Sequence, residues 1–126
     1  MTNKQIKDIH ERIYQFVLRV LKLLELLPKT PINLNIIDQC SRAVTSVGAN
    51  DQEADACQSK RDFLAKYGIA KKELKETNYW LRLISDVNPK FKPRMEGLIK
   101  EGREILLVVS SIIVNTRKSK KTKKNI

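Results

Sequence analysis

Apolar side chains recur at helical spacing along most of this chain. The clearest run lies within Ser41–Ile84, where Phe63, Tyr67, Ala70, Leu74, Thr77, Leu81 and Ile84 alternate at intervals of four and three. That heptad is the seam of a left-handed helical bundle, with Thr77 its one weak position. Upstream, Ile6, Ile9, Ile13, Phe16, Val17, Val20, Leu24 and Leu27 give one apolar face to a helix from about Lys4 to Leu27. Pro28, Thr30 and Pro31 force a short connection after it, because proline cannot continue the hydrogen-bond ladder. A second helix starts near Asn33 or Asn35, either of which can cap it, and carries Ile37, Cys40, Val44 and Val47 on one side. Gln52 to Gln58 is the polar passage into a third helix, with Ser59 as N-cap and Asp62 answering in capping-box fashion. That helix ends near Ile84, before Asp86, Asn88 and Pro89. A fourth begins between Pro89 and Pro93 and runs to about Arg117. Four helices with short connections predict an all-α fold, an antiparallel up-down-up-down four-helix bundle over residues 1–116.

The helices carry more apolar surface than one bundle needs. Beside its main face, helix one has Tyr14, Leu18 and Leu21, widened by Leu23 and Leu26. Helix four reads ILLVVSSIIV from Ile105 to Val114, apolar nearly all round. A helix apolar on all sides must be buried on all sides, so the surplus predicts a homo-oligomer. The Ile105–Val114 run is too short to span a bilayer. A membrane-surface role is disfavoured, because the basic residues cluster in the tail instead of along one helix face.

Charge adds a second expectation. The 126 residues hold 25 basic and 14 acidic side chains, a net charge of +11. About half the excess comes from one segment, since residues 105–126 carry six basic side chains and no acid. Residues 117–126, RKSKKTKKNI, have the composition of a disordered basic arm. Arg117, Lys118, Lys120, Lys121, Lys123 and Lys124 are therefore the first candidates for phosphate contacts to RNA or DNA. A tail that serves only solubility is the competing reading. Helix three supplies a second set, Lys60, Arg61, Lys71, Lys72 and Lys75, against the commoner meaning of a solvated face interleaved with Glu73 and Glu76. Repeating each patch around an oligomer axis would raise its effective concentration for a long polyanion.

Catalytic chemistry finds little foothold. The single histidine, His10, reads as a satisfied interface or surface residue, and Glu73-x-x-Glu76 has no histidine to complete a di-metal site. There is no Gly-rich phosphate loop and no GxSxG, so no catalytic residue, metal or cofactor is expected. Cys40 and Cys57, without CxxC spacing, read as reduced thiols of a cytoplasmic protein, and Met1–Arg12 is too polar for a signal segment. Arg42, Ser46, Asn50 and Glu53 share one stripe of helix two, and Glu73, Glu76 and Asn78 could meet it across the hairpin. Such a set would fix register or, less commonly, form a polar pocket. Trp80 reads as a core or interface anchor ahead of a base-stacking platform.

One set of spaced residues resembles a known family. Arg42, Ser46, Gly48-Ala49-Asn50, Glu53-Ala54, Ser59, Asp62-Phe63, Lys72-Glu73, Glu76-Thr77 and Trp80-Leu81, with LLELLP at Leu23–Pro28, look like the bacterial four-helix-bundle proteins that include the 23S rRNA intervening-sequence proteins and the accessory proteins of diversity-generating retroelements. The resemblance implies a ring-like homopentamer without a catalytic site. It implies that some relatives are encoded inside rRNA genes, and that the retroelement branch binds nucleic acid and the reverse transcriptase it assists. A protein-binding scaffold without a nucleic-acid role therefore stays open. Many relatives have Pro at the position of Gly48 and Ile or Tyr at that of Asp51, so Asp51 places a charge where an apolar contact is expected.

Overall fold

The computed structural model describes residues 3–119, with side chains from residue 9 onward. The side chain of Ile6 and the tail residues 120–126 thus lie outside what is described. Helices α1 (Asn3–Leu26), α2 (Pro31–Ala56), α3 (Lys60–Val87) and α4 (Lys92–Lys118) follow in order, with a 3₁₀ turn at Pro89–Phe91. They form an antiparallel bundle with no strand among the described residues. α2 and α3 share the largest interface and α1 and α4 the smallest of the four adjacent pairs.

Each helix contributes a heptad seam. All seven predicted positions of α3 are buried, and Thr77 sits in the seam because its hydroxyl donates to Glu73 O at 2.8 Å. α1 buries Ile9, Ile13, Phe16, Val20, Leu23 and Leu27; α2 buries Ile36, Cys40, Ala43, Val47, Asn50 and Ala54. α4 buries Met95, Leu98, Gly102, Ile105, Val109, Ile112 and Thr116. The shared four-three spacing keeps each stripe facing the bundle axis along its whole length.

Three boundaries differ from expectation. α2 is capped by Thr30, not by Asn33 or Asn35: Thr30 Oγ1 accepts from Asn33 N at 3.1 Å, and Pro31 occupies the first turn. Proline fits there because its missing N–H has no intrahelical partner in any case. This leaves the Asn33 side chain free to turn inward. It donates to Pro28 O at 2.9 Å and exchanges amide hydrogen bonds with Asn88, tying the start of α2 to the end of α3. At the other pole, Gln52–Gln58 is not a passage. α2 continues to Ala56, since Asp51 and Ala54 are buried and their packing carries the helix onward. Only Cys57, Gln58 and Ser59 connect α2 to α3. Ser59 caps as expected, its hydroxyl accepting from Asp62 N at 3.1 Å. α3 runs a turn further than Ile84, to Val87.

The surplus apolar surface remains at the surface of the single chain. Leu107 is 72% exposed and Tyr14 58%, and Leu26 and Val114 are also open. No described helix is long and apolar enough to cross a membrane.

Candidate nucleic-acid interface

Lys71, Lys72 and Lys75 lie within one turn and a half of α3 and line a shallow, open depression with Gly68 and Glu76. Among the described residues, none of the three ammonium groups makes an ion pair. The three lysines thus stand on a face where Glu73 and Glu76 are interleaved without pairing with them. Glu76 Oε1 accepts instead from Trp80 Nε1 at 3.3 Å, which also anchors the half-buried indole. Three lysines without a contact ion pair remain on one helical face, with the Glu76 carboxylate beside them.

The other basic residues gather at the pole where α2 ends, α3 begins and α4 ends. Lys60 is already engaged: its ammonium donates to Arg117 O at 3.1 Å and also to Ser119 O. A cation there satisfies orphan carbonyls and complements the negative end of the α4 dipole. Arg61 is exposed, as are Arg117 and Lys118, which belong to the last turn of α4 and not to a separate arm. Lys120, Lys121, Lys123 and Lys124 lie outside the described residues. Along α3, Lys71 stands about 16 Å from Lys60 at the helical rise. The structure therefore brings Lys71, Lys72 and Lys75 together, and places Lys60 and Arg61 beside the end of α4. It does not merge the two groups into one surface.

A polar cluster near that pole was not legible as a cluster. The Asp51 carboxylate is fully buried, and it accepts from Tyr67 Oη at 2.7 Å and from His10 Nδ1 at 2.8 and 3.0 Å. His10 Nε2 lies 3.2 Å from Asp55 Oδ1. Carboxylates only accept, so the ring carries its hydrogen on Nδ1, where it donates to Asp51. Burial first, and then the charge of Asp51, pushes the Tyr67 phenol well above its ordinary range. The sequence signal was the i, i+4 pair Asp51 and Asp55, which antiparallel pairing about the Pro28–Pro31 turn sets opposite His10. Among the described residues, no group of three side chains could hold a metal ion.

The expected stripe across the α2–α3 hairpin does not form as such. Arg42 pairs with Asp38 on its own helix at 3.3 Å, and Asn50 donates to Ser46 O and Oγ. Asn78 turns to α4 and donates to Gly102 O at 3.1 Å. Of the stripe, Glu53 crosses to α3, meeting Lys66 at 3.3 Å. The seams occupy the α2–α3 contact, with Asn50 buried among them and Arg42 and Glu53 left exposed on its flanks. Both cysteines are free; Cys40 is buried, which pushes its thiol up to about 12.

Most of the spaced motif thus has a local structural duty: Gly48 against Val17, Ser59 at the cap, Phe63, Thr77 and Leu81 in the seam, Glu76 holding Trp80. Residues 7–111 match the pattern described as 23S rRNA-intervening sequence protein. The chain belongs to that family. A solved structure of a protein of unknown function from the S23 ribosomal protein family of Bacteroides thetaiotaomicron VPI-5482 is similar, at 31% identity and a TM-score of 0.77. The match covers 86% of this chain and 96% of that one. No curated protein matches. The span shared with the 23S rRNA-intervening sequence family includes the Lys71, Lys72 and Lys75 face and the His10–Asp51 pair, and it stops short of Arg117.

Proposed function

We propose that this member of the 23S rRNA-intervening sequence family is a cytoplasmic, non-enzymatic, homo-oligomeric bundle that binds RNA or DNA through its basic surfaces. The observation that carries the reading is the unpaired set Lys71, Lys72 and Lys75 on one face of α3. Point charges of this kind contact phosphates without reading sequence, so binding is salt-sensitive. Arg61, Arg117, Lys118 and the tail lysines extend the basic surface from the pole, with Lys60 holding the end of α4 beside them.

The exposed apolar residues support the oligomer. Leu107 and Val114, two turns apart on α4, and Tyr14 on α1 face solvent in the single chain. A shallow apolar groove between α1 and α2, lined by Ile13, Tyr14, Val17, Thr45, Gly48 and Ala49, adds further uncovered surface. A pentameric ring is the form that the resemblance supplies. The same apolar surface favours the second reading, a scaffold or accessory subunit for another protein such as a reverse transcriptase.

Fluorescence anisotropy with labelled RNA and DNA duplexes over a salt series tests the first reading. Salt-dependent binding of either supports it; no binding of either at low salt leaves the scaffold. Light scattering coupled to size exclusion tests the assembly, and a clean monomer of 14.6 kDa would refute it.

A further inference from the structure

Gly68 lies in the interior of α3, where glycine costs about 1 kcal/mol relative to alanine. Two reasons within a chain can justify such a residue, and neither applies. Its φ is not positive, so the backbone does not require glycine. Nor does a neighbour press against it: a Cβ built there meets nothing within 4 Å. Gly102 on α4 shows the contrast, since a Cβ there would collide with Asn78 Oδ1 and lie 3.1 Å from the Phe16 ring. What the missing side chain does at Gly68 is leave the helix backbone bare in an exposed depression.

The surroundings of that bare turn are the unpaired lysines. Lys71 and Lys72 follow Gly68 by three and four residues, and Lys75 follows by seven. Helical side chains lean toward the N-terminus and cover the turn before their own, so Lys71 and Lys72 reach back over Gly68, with Lys75 behind them. The carboxylate that also lines the depression, Glu76, is held by Trp80. The result is a notch with an uncrowded floor and a positive rim.

We propose that the Gly68 notch is a seat for the sugar-phosphate backbone of a nucleic acid, with Lys71, Lys72 and Lys75 as the phosphate contacts and Gly68 admitting the strand close to α3. The inference rests on the nucleic-acid reading above and places the principal contact on the bundle itself, ahead of the basic tail. Charge complementarity selects this occupant, because three ammonium groups against the one carboxylate of Glu76 leave the depression net positive, which would oppose an apolar or basic protein surface.

The test uses the full chain, a fluorescein-labelled RNA duplex and a DNA duplex of equal length, with anisotropy read over a salt series. Replacing the lysines together (Lys71→Gln, Lys72→Gln, Lys75→Gln) is expected to weaken binding about tenfold or more and to flatten the dependence of log affinity on log salt by about 2 to 3. Gly68→Gln fills the notch without removing charge. It is expected to weaken binding several-fold at an unchanged slope, while raising the melting temperature because glutamine is the better helix former. Native-like circular dichroism checks that both variants fold. If the wild type binds and both variants bind equally well, the notch is refuted and the broader reading stands on the tail. If the wild type binds neither duplex, the broader reading fails together with the notch. If the variants change the oligomer mass and leave binding intact, the notch is a subunit contact and the proposal is overturned.

Discussion

Tyr67 donates its phenolic hydrogen to Asp51 at 2.7 Å, placing a hydroxyl of the α3 seam on a fully buried carboxylate of α2. His10 from α1 completes the contact, so three helices meet at one negative charge. Tyr67 and His10 each donate to the carboxylate. Tyr67→Phe is expected to cost about 1–3 kcal/mol, the penalty of one unmet buried acceptor. His10→Ala removes the other donor and is expected to cost a similar amount. Urea denaturation measures both, and no loss in either variant would show that the buried carboxylate is not what joins the three helices.

Arg12 and Glu101 join α1 to α4 through a two-pronged contact, Nη2 to Oε1 at 2.6 Å and Nε to Oε2 at 3.1 Å. The hydrogen bond from Arg12 holds the Glu101 carboxyl below its usual value of 4.5, and burial opposes that effect. A carboxyl depressed in the folded state adds stability above its unfolded value, and this is lost as pH falls through the folded value. Arg12→Met should therefore destabilise at neutral pH and converge with the wild type in acid. Since Arg12 is more than a third exposed, the difference should be about 1 kcal/mol or less. Thermal melts at pH 7 and pH 3 measure it, and an equal loss at both would assign the effect to packing of the arginine stem.

At Gly102, α4 packs against Asn78 of α3 and Phe16 of α1 with no room for a side chain. Asn78 donates to its carbonyl, and the Asn78 Oδ1 and Phe16 ring occupy the space a Cβ would need. Gly102→Ala gains helix propensity, yet the collision requires Asn78 to move and forfeit its hydrogen bond. A net loss of about 1–3 kcal/mol is expected, as for other overpacked cores. Gly68→Ala should move the other way by about 0.5–1 kcal/mol, because nothing is near its Cβ. Chemical denaturation of both variants gives opposite signs if packing decides; the same sign in both would mean that helix propensity alone does.

The seam from Phe63 to Ile84 could be read without coordinates because apolar spacing depends on helix geometry alone, and all seven residues are buried. Ser59 was legible for a related reason, as its cap bond spans three residues. What escaped were features set by partners distant in sequence. Asn33 looked like a cap, yet its partner is Asn88, just past the end of α3. Asp51 looked like a misplaced charge until the α1–α2 register set His10 against it. Glu76 read as one of the acids interleaved with the lysines, and its hydrogen bond from Trp80 appears only in the structure. The basic residues were legible as candidates by composition; which of them stand unpaired depended on these tertiary choices.

Lys60 separates a basic residue that holds the fold from one that holds a partner. Its ammonium is engaged with the carbonyls of Arg117 and Ser119, where it steadies the end of α4 from which the tail departs. Lys60→Gln should therefore lower the melting temperature while changing the salt slope of nucleic-acid binding little. Removal of residues 120–126 should do the reverse. It takes away Lys120, Lys121, Lys123 and Lys124 and leaves every described helix in place. If all four lysines contact phosphate, the slope should flatten by about 3 to 4 with little change in melting temperature. An unchanged slope in the truncated chain would confine binding to the bundle, where Lys71, Lys72 and Lys75 are the unpaired set.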